Sequence, residues 1–255
     1  MLEKIIATAK EAGEAILEFY SDEIEVMHKE DESPLTKADL AAHHIIIDAL
    51  QEIDPATPVI SEESGIPDYE SRRNWSKFWI VDPLDGTKEF IKKNGEFTVN
   101  IALIEDGNPV LGVVYVPDKV TMYYATKEEG AFKQKGKDES VRIYSENGNA
   151  AGELTAVQSR SHGSDDLISE LKKKGLTVTK TIPAGSSIKF CLVAEGKADI
   201  YPRMGPTMEW DVAAGDCVYR YSAREGAHFS PLKYNKPTLK NDGFLIGLDD
   251  ESINF

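Results

Sequence analysis

The chain has 255 residues, few cysteines and no long apolar run. Cys191 and Cys217 form neither a C-x-x-C pair nor a zinc-like spacing, so we expect two buried free thiols and a reducing compartment. No stretch approaches the length that crosses a bilayer, and charged residues such as Glu3 and Lys4 interrupt the N-terminus, which argues against a signal peptide. We therefore expect a cytoplasmic protein, and peripheral association with the inner membrane stays open.

Basic residues are also in short supply. Lysine and arginine number 29 against 44 acidic residues, which gives a net charge of −15. This balance argues against nucleic-acid polymers as partners, because phosphate backbones require a basic surface. It leaves room for a small phosphorylated substrate, since bound Mg²⁺ reverses the local field at a carboxylate site. Much of the acidity has a simpler explanation in solubility.

The most informative segment is Asp-Pro-Leu-Asp-Gly-Thr at 82–87, which follows the apolar run 78–81. Two carboxylates on a turn that leaves a buried strand can converge on one hard divalent cation. Gly86 lets a ligand approach the backbone, and Thr87 stands where a helix N-terminus would favour phosphate. The alternative is an ordinary turn with a capping Asp. The whole hexapeptide after an apolar strand favours metal-assisted phosphoryl chemistry.

Periodicity predicts an α/β protein in two parts. Apolar residues at helical spacing predict a first helix over residues 2–20 and a second from Leu40 to Ile53, with Asp39 at its start. A polar, exposed loop is expected over 64–76. An antiparallel meander is predicted next, with strands Phe97 to Ile104, Val110 to Val116, Val120 to Ala125 and Ala131 to Lys133.

In the second half of the chain, the pattern predicts strands that alternate with helices, and hence a mixed, more parallel sheet. The predicted strands are Leu154 to Val157, Leu176 to Val178 and Ala198 to Tyr201, and the predicted helices are Asp165 to Lys174, Ser186 to Ala194 and Glu209 to Tyr221. Polar residues concentrate at 135–153. We expect an N-terminal part over 1–150 and a C-terminal part over 151–255, packed as one unit.

Two further acidic elements stand at the end of a predicted strand or the start of a helix. Asp211 lies in Trp-Asp-Val-Ala-Ala-Gly at 210–215, and Glu62-Glu63 follows the short strand 58–61. Taken alone, Asp211 would be interpreted as a helix cap, and Glu62-Glu63 would be interpreted as a solvated acidic pair. Taken with Asp82 and Asp85, they indicate a ligand site where α/β folds gather ligands.

These segments carry a resemblance. Segments 82–87 and 210–215 resemble the two signature motifs of the inositol monophosphatase superfamily, which comprises magnesium-dependent, lithium-sensitive phosphatases, and 61–64 resembles its glutamate motif. Segments 87–90, 94–100, 159–162, 185–191 and 201–203 are similar to the 3′(2′),5′-bisphosphate nucleotidase branch of CysQ type. The inositol-specific enzymes typically carry Thr-Asn after Asp-Gly-Thr and lack Tyr-Pro-Arg, so the chain departs from their pattern at both places.

The resemblance implies a layered α/β sandwich with the site between an antiparallel and a mixed sheet. It implies two or three Mg²⁺ ions on Glu62, Asp82, Asp85 and Asp211, helped by the Leu84 carbonyl. It also implies that Asp39 accepts the proton of Thr87, so that Thr87 can accept one from the attacking water, with Glu62 as a further catalytic residue. The implied substrate-binding residues are Gly86, Thr87, Ser161, His162, Ser186, Ser187, Lys189 and Arg203.

Several alternatives remain open from the sequence. Without the resemblance, Lys189 in its apolar segment would be interpreted as a lysine that faces solvent, and Asp39 as a helix cap. Glu63 and Lys29 are further candidates near the metals. The expected activity is hydrolysis of adenosine 3′,5′-bisphosphate to AMP and phosphate, with action on PAPS open, in sulfur assimilation. The alternatives are an inositol or sugar phosphatase and an inactive metal- or nucleotide-binding regulator. The sequence leaves the oligomeric state open.

Overall fold

The computed structural model describes residues 1–20, 26–28, 34–148, 150–160 and 165–248. Its helices are α1 (Leu2–Glu18), α2 (Lys37–Ile53), α3 (Tyr69–Arg72), α4 (Thr87–Ile91), α5 (Asp165–Lys173), α6 (Ile188–Ala194) and α7 (Glu209–Arg220). Its strands are β1 (Val26–His28), β2 (Pro34–Thr36), β3 (Val59–Ser61), β4 (Lys77–Asp85), β5 (Thr98–Glu105), β6 (Asn108–Val116), β7 (Thr121–Thr126), β8 (Gly130–Lys135), β9 (Val141–Arg142), β10 (Glu153–Ser159), β11 (Thr177–Ala184), β12 (Tyr201–Arg203), β13 (Thr207–Met208), β14 (Lys240–Asn241) and β15 (Phe244–Ile246).

A seven-stranded sheet forms the centre of the fold. Its strands run in the order β3-β4-β5-β6-β7-β8-β9. Only the β3–β4 pair in this sheet is parallel, and the other five pairs are antiparallel, as the predicted meander requires. Strands β4 to β6 are buried almost throughout, because helices cover both faces of the sheet. This explains why these strands read as continuous apolar runs in the sequence.

Helices α1 and α2 cover one face of this sheet. The predicted apolar stripe of α1 is buried, with Ile5, Ala9, Ala12 and Ile16 all at 0% exposure. The helix lies close to β6, since a Cβ on Gly13 would come within 2.5 Å of the Tyr115 ring. The helical periodicity of the sequence therefore identified the correct buried face.

Helices α6 and α7 cover the opposite face. Small residues permit this close layer: a Cβ on Gly112 of β6 would lie 2.5 Å from Cys217 Cβ, and one on Gly215 would lie 2.7 Å from the Phe190 ring. The two cysteines are buried free thiols, as predicted. Helix α7 thereby brings its N-terminus, and with it Asp211, to the edge where β4 ends.

The C-terminal half adds a mixed arrangement of strands. Strands β10 and β11 are parallel, and Ile200 joins β10 by a further parallel bridge. Strands β12 and β15 pair antiparallel. The layered α/β fold, with an antiparallel sheet followed by a mixed part, is thus confirmed. One apolar cluster combines Ile80 and Val114 of the first half with Val157 and Phe190 of the second. The boundary near residue 150 stays a prediction.

Some local expectations differ from the structure. The predicted loop 64–76 contains the short helix α3, whose Arg72 is 1% exposed and bonds to Asn235 and to the Pro237 carbonyl. The third strand of the second half begins at Tyr201 rather than Ala198, and Ile200 contributes only a bridge. Within the described residues, no helix combines the length and the apolar character that a membrane span requires.

Candidate active site

The end of β4 places the first group of candidate residues. Pairing of β4 with β5 is irregular between Asp82 and Asp85, so the strand bends where the two carboxylates lie. Gly86 follows with φ +92°, a left-handed conformation that favours glycine, and α4 begins at Thr87. The hexapeptide is therefore a strand-to-helix turn, as the sequence predicts.

Three carboxylates from three elements meet beside this turn. Glu62 after β3, Asp82 on β4 and Asp211 on α7 each offer an oxygen, and these oxygens lie within 4.8 Å of one another. Glu62 is held by its own N–H, which donates to the Val81 carbonyl (3.1 Å) because β3 and β4 run parallel. Glu63 is not among the three residues of this cluster.

Burial and mutual repulsion perturb these acids strongly. Burial, and then the charge of Glu62, raises the pKa of Asp82 well above its usual range. Burial, and then the charge of Asp85, raises the pKa of Asp211 to about 8. Burial also raises the pKa of Asp85 to about 6, although Lys189 and a hydrogen bond from Asn100 oppose the shift. Without a cation, the site holds protons that an isolated carboxyl group would have released.

These residues fit a hard divalent cation. Carboxylate oxygens are the ligands that Mg²⁺ and similar ions prefer, and a bound cation would offset the burial and the repulsion that raise the pKa values of Asp82, Asp85 and Asp211. Asp85 lies outside the group of three but interacts electrostatically with Glu62 and Asp211. The Leu84 carbonyl, the further predicted ligand, accepts a 3.4 Å hydrogen bond from Thr87 Oγ1. The structure thus brings the predicted ligand set to one place.

Thr87 and Asp39 meet although they are 48 residues apart. Thr87 Oγ1 donates to Asp39 Oδ1 (3.4 Å), while Asp39 Oδ2 accepts from the N–H (2.8 Å) and hydroxyl (2.6 Å) of Thr36. Asp39 is only 2% exposed. One oxygen of Asp39 therefore caps α2, and the other accepts a hydrogen bond from Thr87.

A cavity of about 140 Å³ opens next to the carboxylates. Lys189 lines it and is 7% exposed, so the alternative of a solvent-facing lysine is wrong. Lys189 Nζ donates to the Ser186 carbonyl (2.5 Å) and lies 5.6 Å from the centroid of the Tyr201 ring. Burial lowers the pKa of Lys189 to about 8, against the opposing charge of Asp85.

Arg203 adds a second cation to the same cavity. Its guanidinium is positioned by the Gly205 carbonyl (3.1 Å from Nε) and the Pro206 carbonyl (3.3 Å from Nη2). The lining also includes Gly86, Ser186 and the apolar side chain of Val212. Carboxylates that can hold a cation and two cations that can hold an anion therefore border one small cavity.

The predicted serines differ in their surroundings. Ser186 lines the cavity with φ +46°, and its buried Oγ has no hydrogen-bond partner among the described residues. Ser187 is 2% exposed; its Oγ donates to the Asp211 carbonyl (2.8 Å) and accepts from Asn100 Nδ2 (3.1 Å). Ser187 thus positions Asp211. Ser161, His162 and Lys29 lie outside the described residues.

Sequence reasoning missed two positioning contacts. Asn100 Nδ2 reaches Asp85 Oδ2 (3.3 Å), and a lone Asn inside the apolar strand β5 was the available signal. Glu96 accepts two 2.7 Å hydrogen bonds from Arg160 and one of 2.8 Å from the Gly185 N–H. Glu96 therefore ties the segment before Ser186 to the loop after α4, and nothing in the sequence alone indicated that pairing.

Known proteins share this fold and these segments. A sequence model described as the inositol monophosphatase family matches residues 1–236. The 3′(2′),5′-bisphosphate nucleotidase CysQ of Salmonella typhimurium is 47% identical over 254 residues, which cover 96% of this chain and 99% of that protein.

Solved structures agree with this match. The crystal structure of CysQ from Bacteroides thetaiotaomicron, described as a bacterial member of the inositol monophosphatase family, superposes with a TM-score of 0.80 at 45% identity, covering 98% of this chain and 97% of that one. An inositol monophosphatase from Anabaena shares the fold at 22% identity, with a TM-score of 0.67 over 87% of this chain and 81% of that one. The chain belongs to the inositol monophosphatase family.

Proposed function

We propose that this protein is a 3′(2′),5′-bisphosphate nucleotidase that hydrolyses adenosine 3′,5′-bisphosphate to AMP and phosphate. The observation that carries the proposal is one cavity, next to the carboxylate cluster, that is lined by Asp85 and Asp211 and also by Lys189 and Arg203. The names of relatives at 44–47% identity over nearly the whole chain support the same substrate. Action on PAPS and a role in sulfur assimilation extend this proposal.

Glu62, Asp82, Asp85 and Asp211, with the Leu84 carbonyl, would hold the metal. The family is metal-dependent, and we propose two or three Mg²⁺ ions as the occupants. Bound Mg²⁺ supplies Lewis-acid stabilisation of the phosphoryl oxygens and lowers the pKa of water to yield a nucleophile near neutral pH. The raised pKa values of Asp82 and Asp211 mean that metal binding displaces protons.

Asp39 and Thr87 form the proton-accepting pair. Asp39 Oδ1 accepts the hydroxyl proton of Thr87, which leaves a lone pair of Thr87 Oγ1 directed at the attacking water. The water proton passes toward this oxygen as the water oxygen bonds to phosphorus and the opposite bond, to the ribose 3′ oxygen, breaks. That oxygen takes up a proton from solvent and leaves as the 3′ hydroxyl of AMP. Thr36 holds Asp39 through its other oxygen, so the carboxylate keeps its orientation during the transfer.

Lys189 and Arg203 supply the second anion site. A phosphate that is not being transferred requires a cation to hold it, and burial makes such a contact stronger than it would be in water. Arginine can bind phosphate through two parallel hydrogen bonds, while the Lys189 ammonium acts as a point charge. Ser186, whose Oγ is without a partner among the described residues, is a further donor at the same cavity.

An inositol or sugar phosphatase is the second candidate, because the carboxylate cluster suits any phosphate monoester and the matching family model carries the inositol monophosphatase name. The two cations at the cavity, buried Lys189 and half-buried Arg203, favour a substrate with two phosphates over inositol monophosphate. An inactive regulator has no use for the Asp39–Thr87 pair. Cytoplasmic location, with or without peripheral association at the inner membrane, stays a prediction.

The test is phosphate release from adenosine 3′,5′-bisphosphate with Mg²⁺, with AMP identified by chromatography. We expect turnover by the wild type and at least a 100-fold loss in Asp85→Asn, which removes one charge at the site. Asp138→Asn, an exposed position in a turn, is the matched control and should keep full activity. Full activity of Asp85→Asn would overturn the metal assignment, and no release by the wild type would overturn the proposed activity.

A further inference from the structure

A second cavity, of about 430 Å³, lies between the sheet and α6. We name it the lysine cavity, because Lys119, Lys133, Lys135 and Lys197 line it. It shares no lining residue with the cavity of the active site. Helix α6 separates the two: Ile188 and Leu192 line the lysine cavity, whereas Lys189 and Phe190 line the active-site cavity. The lysine cavity is therefore a separate site.

Its charge is unusual for this chain. Four lysines line it in a protein whose net charge is −15, and Glu195 is the one carboxylate in its lining. That carboxylate is already occupied by Lys133 Nζ (2.6 Å), Lys197 Nζ (3.0 Å) and the Tyr123 hydroxyl (3.1 Å). Like charges brought together repel, so this arrangement favours an anion in the cavity.

The remaining two lysines are available for such an anion. Lys135 is exposed and forms no ion pair with any residue in the described ranges. Lys119 Nζ lies 3.9 Å from Glu96 Oε1, but that carboxylate is held more closely by Arg160 at 2.7 Å. The ammonium groups of both residues end long flexible stems at the rim, where they can close on a ligand.

The floor of the cavity is apolar. Val116, Ile188 and Leu192 line it together with Tyr123, whose ring lies 5.0 Å from Lys133 Nζ. A volume of several hundred Å³ is in the range of small-molecule sites, which combine an apolar surface with a few polar groups. An inorganic anion would use the lysines but leave the floor empty. A ligand with both a polyanionic and an apolar part matches both features.

We propose that the lysine cavity binds an organic polyphosphate, specifically a nucleoside triphosphate, at a site distinct from the active site. The phosphates contact Lys119 and Lys135, together with Lys197, which shares the single charge of Glu195 with Lys133. The base packs on the floor formed by Ile188 and Leu192. This inference does not depend on the proposed activity, because it rests on residues that the active-site cavity does not include.

The experiment is calorimetric titration of the full chain with ATP in buffer containing EDTA, which removes divalent ions from the active site. We expect one ATP bound, with an affinity at least threefold higher than for tripolyphosphate because of the apolar floor. The double variant Lys135→Gln/Lys197→Gln should weaken ATP binding at least tenfold. Its matched control, Lys172→Gln/Lys180→Gln, removes the same charge from exposed positions elsewhere and should change the affinity less than twofold.

A third variant reports on the active site. Lys189→Gln should leave ATP binding within twofold of the wild type. The proposal is overturned if the wild type binds no ATP, if the control pair weakens binding as much as the cavity pair, or if only Lys189→Gln removes it. Equal affinity for tripolyphosphate and ATP would overturn the nucleoside assignment. All four lysine positions in the two pairs are exposed, so melting temperatures should stay within a few degrees and show that each variant folds.

Discussion

Replacing Lys189 by Gln tests how the active-site cavity distinguishes two phosphates from one. The ammonium is buried in the cavity wall, where it contacts the Ser186 carbonyl and the face of Tyr201. A hydrogen bond to a charged group contributes about 1.5–3 kcal/mol. At about 1.4 kcal/mol per tenfold, kcat/KM for adenosine 3′,5′-bisphosphate should fall about 10- to 150-fold.

The comparison substrate is adenosine 3′-monophosphate, which lacks the phosphate that Lys189 would hold. Its kcat/KM should fall less than about fivefold, through the charge that Lys189 presents to Asp85. Lys189→Arg keeps the charge and should recover part of the loss for the bisphosphate. The assay is phosphate release at saturating Mg²⁺, with Lys172→Gln as an exposed control of equal charge change.

Equal losses for the bisphosphate and the monophosphate would refute this reasoning. That result would show that Lys189 acts through Asp85 or through the fold, and that the second phosphate lies elsewhere. A melting temperature within a few degrees of the wild type separates the first of these explanations from the second.

Three further predictions concern the proton-accepting pair, the carboxylates and the core. Asp39→Asn removes the acceptor of the Thr87 proton and should lower kcat about 10²- to 10⁴-fold with little change in KM, measured by phosphate release; an unchanged kcat would contradict that role. Burial raises the pKa of Asp211 to about 8, so the folded state binds a proton that the unfolded state releases at lower pH, and the metal-free protein should lose stability as pH rises from about 4 through 8. Thermal melting should then show that Mg²⁺ stabilises the protein more at pH 8 than at pH 5.5. The opposite order would contradict the raised pKa. Asp216→Ala removes the carboxylate that lies 2.8 Å from Arg220, a side chain that is only 9% exposed. The free energy of unfolding in urea should fall by about 3–5 kcal/mol. A fall below about 1 kcal/mol would contradict a buried ion pair.

Periodicity and local motifs predicted the features that depend on neighbouring residues. The apolar stripe of α1 follows from helical spacing along the chain, and the meander from β5 to β8 follows from short apolar runs separated by turn residues. The turn at 82–87 could also be predicted, since Gly86 and the carboxylates beside it carry their meaning within six residues.

The features that sequence reasoning missed depend on residues far apart. Arg72 bonds to Asn235 across 163 positions, which turns part of a predicted loop into a fixed helix. Glu96 and Arg160 are 64 positions apart, and their pairing is a surface contact that no periodicity marks. The sequence did not tell whether the Lys189 side chain points into a cavity or into solvent, because nearly every other residue of α6 is apolar and buried.

The positions of the acidic residues indicated a ligand site, and the resemblance supplied the metal ligand set. Glu62, Asp82 and Asp211 come from three separate elements, and only the meeting of β3, β4 and α7 brings their oxygens together. Each of the three alone had an ordinary structural explanation. The raised pKa values of Asp82 and Asp211 give the physical sign of a site, since isolated surface acids would be free of such burial and crowding.

The most direct test of the proposed activity compares three substrates side by side. Phosphate release with Mg²⁺ should be measured on adenosine 3′,5′-bisphosphate, inositol 1-phosphate and fructose 1,6-bisphosphate at equal concentrations. We predict a kcat/KM at least tenfold higher for the nucleotide than for inositol 1-phosphate, because Lys189 and Arg203 would hold its second phosphate. Over fructose 1,6-bisphosphate, which also carries two phosphates, we predict a preference for the nucleotide from the proposed substrate alone. Preference for inositol 1-phosphate or fructose 1,6-bisphosphate would keep the metal chemistry but contradict the proposed substrate.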